Sequence, residues 1–498
     1  MEGQRCGFPR GKALGGSSVI NYMIYNRGNR NDFDRWAAAG NPGWSWNEVL
    51  PYFKRSERST LRNSKNSANH GTNGWLNVED NQFRTPLAEG FVRANQYLGQ
   101  REVDYNSGDQ LGVSFLQANT LRGRRHSAFT SFLKPVLSRP NLHIMVNTRA
   151  TKILIDPKTK TAHGVEFLRK RKRFHVKARK EVISSAGTFL SPQLLMLSGI
   201  GAKSDLSRIG VPIIQDLPVG KLMYDHWSHL GPTYIVNTTG KSLNTERVLQ
   251  PNVMIQYLQG TGPLTIPGAV EALSFIKTRV SNDRGPTVPD AEIIFVPGGY
   301  HSDEGAGISR GMNVKDSLYK KVYKQLEDTN IDTFSFMPML FHPKSVGYLE
   351  LKSSNPFHWP RLYPRYFSHP DDVETLLEAI KYSLRLAQSP PFQRFGARLH
   401  TVPVPGCTHI HFGTDDYWRC SIRTLSSTLH HQVSTCKMGP INDPTAVVSH
   451  ELKVHGIKKL RVVDTSIIPE SPTSHTNAAS FMIGEKAADM IKREWQGN

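Results

Sequence analysis

The sequence predicts an α/β protein in which one domain is assembled from scattered segments and a second domain lies between them. Units of a strand followed by a helix occur near the start, in the middle and at the end of the 498 residues. That distribution favours one α/β domain with a discontinuous chain. Residues 230–425 instead mix strand-like runs with one long helical pattern, which predicts a separate α+β domain built on a sheet.

The composition is that of a globular chain with many turns. Hydrophobic residues make up 38% and charged residues 21%, and the chain has 40 glycines and 31 prolines. These values exclude a collagen, a long coiled coil and a wholly disordered chain. No run of 18 apolar residues occurs and no apolar segment follows Met1, so we expect neither a transmembrane segment nor a signal peptide.

The net charge of +20 is spread along the chain. The densest basic run, residues 169–173, is flanked by the strand-like stretches GVEFL and FHVKA, which predicts a β-hairpin with a charged tip. We therefore expect no nucleic-acid partner, and polyanion binding stays an open alternative.

The cysteines and the HIH pattern do not indicate a metal site. Cys6, Cys407, Cys420 and Cys436 have no CxxC spacing, although Cys407 and Cys420 are left open as a pair. His409 and His411 are expected to share one strand face, but no third ligand stands at a suitable spacing.

The remaining elements follow from short hydrophobic patterns. Residues 31–140 are interpreted as helices and loops, and a helix is expected over 372–388. Residues 141–190 predict a meander, with the strands LHIMV, TKILID, GVEFL, FHVKA and EVISS. The second domain is expected to contain the strands AEIIFV, FSFMPML and GYLELK.

Two glycine-containing turns are candidates for holding a ligand. In the segment 11–24, Gly15 and Gly16 allow a positive φ, and Ser17 or Ser18 is expected to cap the helical turn that follows. Free N–H groups in such a turn suit a phosphate, although an unliganded turn explains the pattern equally well. In the second turn, EVISSAGTFLSP, we expect Ser191 to be the N-cap of a helix and Pro192 its first residue.

The C-terminal segment carries the strongest candidate chemistry. LRVV predicts a buried strand that ends at Asp464, and Thr476 or Asn477 is expected to cap the last helix directly after His475. His430 and His431 form an adjacent pair on a predicted strand, so only one of them faces a given pocket. Imidazoles exchange protons near neutral pH, which makes a histidine from each segment a candidate acid–base pair.

Taken together, these stretches resemble the glucose–methanol–choline (GMC) family of flavin oxidoreductases. GFPRGKALGGSSVINYMI and GTFLSPQLLMLSGIG are similar to its two diagnostic stretches, and HHQVSTCKMG and SPTSHTNAASFMIG to its C-terminal ones. The sequence as a whole is similar to the insect branch of this family, which includes glucose dehydrogenase-like members, some of which are secreted. The resemblance covers residues 10–491 and implies a doubly wound FAD-binding domain with an antiparallel substrate domain.

The resemblance also implies domain limits and site residues. The FAD-binding domain would comprise 1–50, 140–229 and 445–498, a connecting or lid region 51–139, and the substrate domain 230–444. His431 would accept the proton of an alcohol and His475 would hold the same oxygen. FAD would be contacted by Ala13, Leu14, Gly15, Gly16, Ser17, Ser18, Asn21, Tyr22, Met23, Ile24, Ala150, Asp464, Thr476 and Asn477.

The implied reaction is oxidation of an alcohol or sugar, with the hydride passed to flavin N5 and then to oxygen or a quinone. One departure from the family pattern argues against this reaction. The chain has no G-x-G-x-x-G, and only nine residues precede Arg10. We therefore expect weak or no FAD binding by this chain. The alternatives are an inactive, truncated family member and a flavin-dependent lyase.

Overall fold

The computed structural model describes residues 6–496 except 63, 65, 66, 281–283, 306 and 330. Helices α1 to α14, in chain order, are Arg30–Ala38, Trp46–Ser56, Pro86–Tyr97, Gly187–Leu197, Lys203–Arg208, Thr245–Val248, Pro251–Leu258, Ile308–Gly311, Asp316–Val322, Lys324–Asp328, Pro370–Gln388, Pro390–Gln393, Asp415–Thr424 and Asn477–Gln496. Strands β1 to β20 are Glu57–Ser59, Leu76–Asp80, Gly112–Phe115, Gln117–Ala118, Thr120–Leu121, Arg124–Arg125, Thr148–Asp156, Thr161–Arg169, Lys172–Lys177, Val182–Ser184, Trp227–His229, Thr233–Ile235, Ala272–Ile276, Ala291–Val296, Thr333–Leu340, Tyr348–Glu350, Arg361–Tyr363, Arg398–Leu399, Ser426–Thr428 and Leu460–Val462.

The largest sheet is antiparallel and has eight strands. Six of them follow the order β18-β12-β15-β14-β13-β3, and β11 joins β15 to β19. The central strands β14 and β15 are buried along their whole length because α11 and α3 cover one face of the sheet and a cluster that includes α9 and α10 covers the other. This arrangement confirms the predicted antiparallel second domain.

Beside the large sheet, distant parts of the chain form one α/β unit. Strand β10 pairs in parallel with β20 in the register Val182↔Leu460, although the two are far apart in sequence. The meander β7-β8-β9, helix α4 and helix α14 belong to the same unit. The predicted fold class is therefore confirmed.

Several individual predictions are also confirmed. The basic run 169–173 lies at the turn between β8 and β9, and α11 ends at Gln388 as expected. AEIIFV is β14 and FSFMPML lies in β15. Cys407 and Cys420, whose pairing the sequence left open, form a disulfide.

Three local predictions are wrong. Residues 142–146 form no strand, and Ile144, Met145 and Val146 are exposed. The segment with His409 and His411 is a turn, so these residues share no strand face. Residues 31–140, expected to be helices and loops, also contain β1 to β6, of which β3 pairs with β13.

The helix expected to begin at Pro192 begins five residues earlier, at Gly187. Pro192 therefore lies inside α4, where it cannot donate to the carbonyl of Thr188. That carbonyl instead accepts the Thr435 hydroxyl at 2.6 Å. A tertiary contact thus replaces the hydrogen bond that the proline removes.

Candidate active site

Three histidines from distant segments meet at one place in the fold, where His226 and His475 are buried and His431 is partly exposed. The ring of His431 lies 4.9 Å from that of His475 and 5.2 Å from that of His226, measured between centroids. His226 directly precedes β11, His431 follows β19, and His475 comes shortly before α14. The fold therefore brings together the two histidines that the sequence analysis chose and a third that it did not.

A buried carboxylate shapes the turn that carries His431. The backbone N–H of His431 donates to Asp225 Oδ1 at 3.0 Å, and that of His430 donates to the Thr428 hydroxyl at 2.8 Å. His430 has φ 65°, so the two histidines lie on a turn and not on a strand as expected. Burial raises the pKa of Asp225 to about 6, although the hydrogen bonds from Thr428 and other neighbours act to lower this pKa.

Ser434, in the same loop, has a backbone conformation typical of glycine. Its φ is 74°, in the left-handed region that glycine occupies without strain. The Ser434 hydroxyl donates to the carbonyl of Ile468 at 2.7 Å, which ties the loop to the segment that leads towards His475. The loop thus keeps a glycine-type conformation with a serine in it.

His475 faces a carboxylate on a central strand of the large sheet. Its Nε2 lies 3.3 Å from Oε1 of Glu292, whose side chain is fully buried on β14. Oε2 of Glu292 has no hydrogen-bond partner among the described residues. Glu292 was not among the residues predicted from the sequence, although an acidic residue within the apolar run AEIIFV indicates a buried, paired carboxylate.

His226 contacts the opposite side of His431. The two Nδ1 atoms are 3.0 Å apart, and Nε2 of His226 lies 2.8 Å from the Ser471 hydroxyl. Burial lowers the pKa of His226 to about 3. Burial, and next the neighbouring His475, also hold the pKa of His431 well below its usual 6.5.

The first glycine turn is open to solvent on one side. Gly15 has φ 98° and is the N-cap of the 3-10 turn Gly16–Val19, so the expected cap by Ser17 or Ser18 is wrong. The Ser17 hydroxyl instead accepts from the N–H of Gly11, and the Ser18 hydroxyl from the N–H of Ala128.

The remaining residues of this segment pass from the surface into the core. Leu14 and Tyr22 are 39% and 42% exposed, whereas Ile24 is buried. Oδ1 of Asn21 accepts from the side chain of Arg125 at 2.8 Å, and Met23 has φ 59°. Ala13 is exposed, and its carbonyl accepts from the N–H of Gly16.

The second turn is held by Asp464. Its Oδ2 accepts from the N–H of Gly187 at 2.9 Å and from the Ser191 hydroxyl at 2.6 Å, and its Oδ1 accepts from the N–H of Ser466. Because both oxygens have partners, Asp464 fixes where α4 begins relative to the end of β20. Thr476 directly precedes α14, which begins at Asn477.

Two further predicted residues lie apart from this turn. The side-chain amide of Asn477 donates to Oδ1 of Asn119 at 2.6 Å. Ala150 lies on β7 and is exposed. The structure thus places the predicted cofactor contacts on the two glycine turns, on β7 and at the start of α14.

The two glycine turns leave room for a ligand with a flat apolar ring. A Cβ at Gly16 or at Gly187 would meet no atom within 4 Å, so both backbones border open space. Exposed Leu14 and Tyr22 supply apolar contact area beside the first turn. The buried Nδ1 of His430 has no hydrogen-bond partner among the described residues, and an unpaired buried polar atom of this kind is typical of a ligand site.

The part of the chain that the structure describes offers neither a metal site nor a membrane-spanning helix. No group of three or more His, Cys, Asp or Glu side chains there is arranged to hold a metal ion. None of the described helices combines the length and apolarity needed to cross a bilayer.

Comparison with known proteins places these features in a family. Models of the GMC oxidoreductases match residues 1–228 and 343–484. The chain is 39% identical over 497 residues to glucose dehydrogenase (FAD, quinone) of Drosophila melanogaster, covering 99% of the chain and 76% of that protein. It is 34% identical over 495 residues to alcohol dehydrogenase (acceptor) of Pseudomonas putida, covering 98% and 82%.

Solved structures agree with the sequence relatives. An FAD-dependent oxidoreductase from Chaetomium thermophilum superposes with a TM-score of 0.80 at 26% identity, covering 98% of this chain and 87% of that one. Pyridoxine 4-oxidase from Mesorbium loti gives 0.80 at 24% identity, covering 100% and 86%, and supports the fold alone. The matched domains, the relatives and the shared fold together show that the chain belongs to the GMC oxidoreductase family.

Proposed function

We propose that this protein is an FAD-dependent oxidoreductase that oxidises the CH–OH group of an alcohol or sugar, with His431 as the base. The single observation that carries the proposal is the pair His431–His475, whose rings are 4.9 Å apart and nearly perpendicular. Two imidazoles at this separation can both reach one hydroxyl oxygen.

His431 supplies the proton acceptor. Its Nδ1 is engaged by His226, so Nε2 is the ring nitrogen left for a substrate hydroxyl. The lowered pKa of His431 keeps the ring neutral at neutral pH. General base catalysis of this kind contributes about 10²–10⁴-fold to a rate.

His475 holds the oxygen that loses this proton. When its Nε2–H donates to Glu292, Nδ1 can donate to the substrate only if the ring is an imidazolium. The carboxylate of Glu292, 3.3 Å from Nε2, would balance the charge of that form. A cationic donor at this place stabilises the developing alkoxide.

The groups proposed to hold FAD are those at the two glycine turns and at the start of α14. We assign to it the backbone of Ala13–Ser18 and of Asn21–Ile24, with Thr476–Asn477 beside the ring and Ala150 further away. Asp464 acts by fixing the second turn. When bound, FAD supplies the two-electron redox chemistry, by taking a hydride from the substrate carbon.

The electron acceptor is proposed to be a quinone or oxygen. Quinone stands in the name of the Drosophila relative, and another relative, from Sinorhizobium fredii, is named oxygen-dependent choline dehydrogenase at 34% identity. The substrate class is a small alcohol or sugar.

The test combines a flavin titration with a dye-reduction assay. Protein incubated with FAD is desalted and its bound flavin absorbance is measured, and then glucose and simple alcohols are screened with a quinone dye. We expect substrate-dependent bleaching of the flavin and a loss of at least about 10²-fold in kcat for His431→Gln. Turnover without bleaching would favour a lyase, and full activity of the variant would refute the assignment of His431.

One observation favours an inactive family member as the second candidate. Within the described residues, β10 pairs with β20 alone, and Ile183 in β10 is 43% exposed. A parallel strand with an open apolar face is unusual, since such sheets are normally covered on both faces. Failure of the protein to retain FAD after reconstitution would support this candidate.

A further inference from the structure

The contact between His226 and His431 couples the tautomers of the two rings. Their Nδ1 atoms are 3.0 Å apart, and a hydrogen bond at that distance needs one N–H and one lone pair. Two neutral arrangements satisfy this requirement. Either His431 Nδ1–H donates to His226, or His226 Nδ1–H donates to His431.

Only one of these arrangements allows His431 to act as a base. If His431 donates from Nδ1, its Nε2 carries a lone pair and can take a proton. If His431 accepts at Nδ1, its Nε2 carries the hydrogen and has no lone pair to offer. The tautomer of His226 therefore decides whether His431 can perform its proposed role.

The surroundings of His226 accommodate the first arrangement. Nε2 of His226 is 2.8 Å from the Ser471 hydroxyl, which can accept from an Nε2–H and so leave Nδ1 as the acceptor. The His226 side chain is fully buried and packs edge-on against Phe341. Besides His226, the titratable or charged groups whose fields reach His431 are His475, His430 and Arg10.

We propose that His226 is a positioning residue that holds His431 in the Nδ1–H tautomer and so leaves its Nε2 free to accept the substrate proton. This inference rests on the proposed function for its catalytic consequence. The tautomer itself can be measured without any substrate.

The primary experiment reads the tautomer directly. Protein labelled with ¹⁵N-histidine is measured by long-range ¹H–¹⁵N correlation, and the His431 signal is assigned from its loss in His431→Gln. We expect Nδ1–H in the wild type and in His226→Asn, whose amide oxygen replaces the acceptor. His226→Leu has no acceptor, and its His431 is expected to change to the Nε2–H form.

Activity provides the second readout and has a matched control. His229 lies on β11, is equally buried and bonds to Ser421, away from His431. We expect kcat to fall by about 10²-fold in His226→Leu, by less than about tenfold in His226→Asn, and not at all in His229→Asn. A wrong tautomer of a catalytic histidine costs up to about 10⁴-fold in a known case.

The outcomes separate this proposal from the proposed function. An Nε2–H signal for His431 in the wild type would overturn it, and so would an unchanged tautomer in His226→Leu. Should the leucine variant not fold, Ser471→Ala removes the partner of Nε2 and must shift His431 partly towards Nε2–H. A wild-type protein that oxidises no alcohol would refute the function while the NMR result still stands.

Discussion

A buried network around His70 makes the stability of this protein depend on pH in a calculable way. Nδ1 of His70 lies 2.8 Å from Glu57 Oε1, and Nε2 lies 2.9 Å from Asp104 Oδ2. Carboxylates only accept hydrogen bonds, so both ring nitrogens must carry a proton. Arg27, which is also fully buried, donates to the other oxygen of Glu57 at 2.6 Å and completes a neutral set of two cations and two anions.

The size of the effect follows from the pKa of His70. Burial opposes the charged ring, but the hydrogen bonds to Asp104 and Glu57 outweigh it and raise the pKa from 6.5 to about 9. At about 1.36 kcal/mol per pH unit, this rise corresponds to about 3 kcal/mol. Because the folded-state pKa is raised, the stabilisation is complete below pH 6.5 and is lost as the pH rises through about 9.

The perturbation is His70→Asn, measured by urea unfolding with tryptophan fluorescence. We expect the variant to be less stable than the wild type by about 3 kcal/mol or more near pH 6, because Glu57 and Asp104 lose a buried cation. Near pH 10 the gap should shrink by about 3 kcal/mol, since the wild-type ring is then neutral.

The matched control is His175→Asn. His175 also faces a carboxylate, Glu166, at 3.3 Å, but its side chain is 57% exposed. Such exposed pairs contribute less than about 1 kcal/mol, so we expect little change at either pH. A stability gap between wild type and His70→Asn that is the same at both pH values would refute the doubly protonated ring.

Three further predictions concern the site and the disulfide. Glu292→Gln removes the charge facing His475, and we expect kcat to fall about 10- to 10²-fold with little change in KM in the dye assay; a larger change in KM than in kcat would argue for a role in binding. Because the pKa of His431 is lowered, its base form persists at more acidic pH than for free imidazole, so kcat/KM should stay level from pH 8 down to about 6.5. A profile that already declines at pH 7.5 contradicts this. Cys407 and Cys420 are 13 residues apart, and reducing their disulfide should lower the free energy of unfolding by about 3 kcal/mol. The measurement is the Tm with and without reductant, and the difference between the two should be absent in Cys407→Ala.

The sequence was informative wherever local patterns determine the structure. Short apolar runs predicted β14 and the three strands of the observed meander, and the helical pattern predicted the last residue of α11. The four family stretches selected His431 and His475 before any geometry was known. These features depend on residues that are close together in the chain, so a single sequence contains them.

The predictions failed where a distant residue supplies the missing partner. Pro192 was expected to open its helix, but Thr435 satisfies the carbonyl that the proline leaves free, so α4 begins earlier. The residues around His430 were expected to be extended, but Asp225 accepts from the backbone of the next residue and stabilises a turn.

The sequence by itself determined the α/β class, the family and the two histidines proposed for catalysis. Only the tertiary structure decided which groups surround them. It placed Glu292 against His475 and His226 against His431, from segments separated from their partners by 183 and 205 residues. The physical reason is that the charge and tautomer of a buried imidazole depend on the atoms within hydrogen-bonding distance, and chain separation carries no information about that distance.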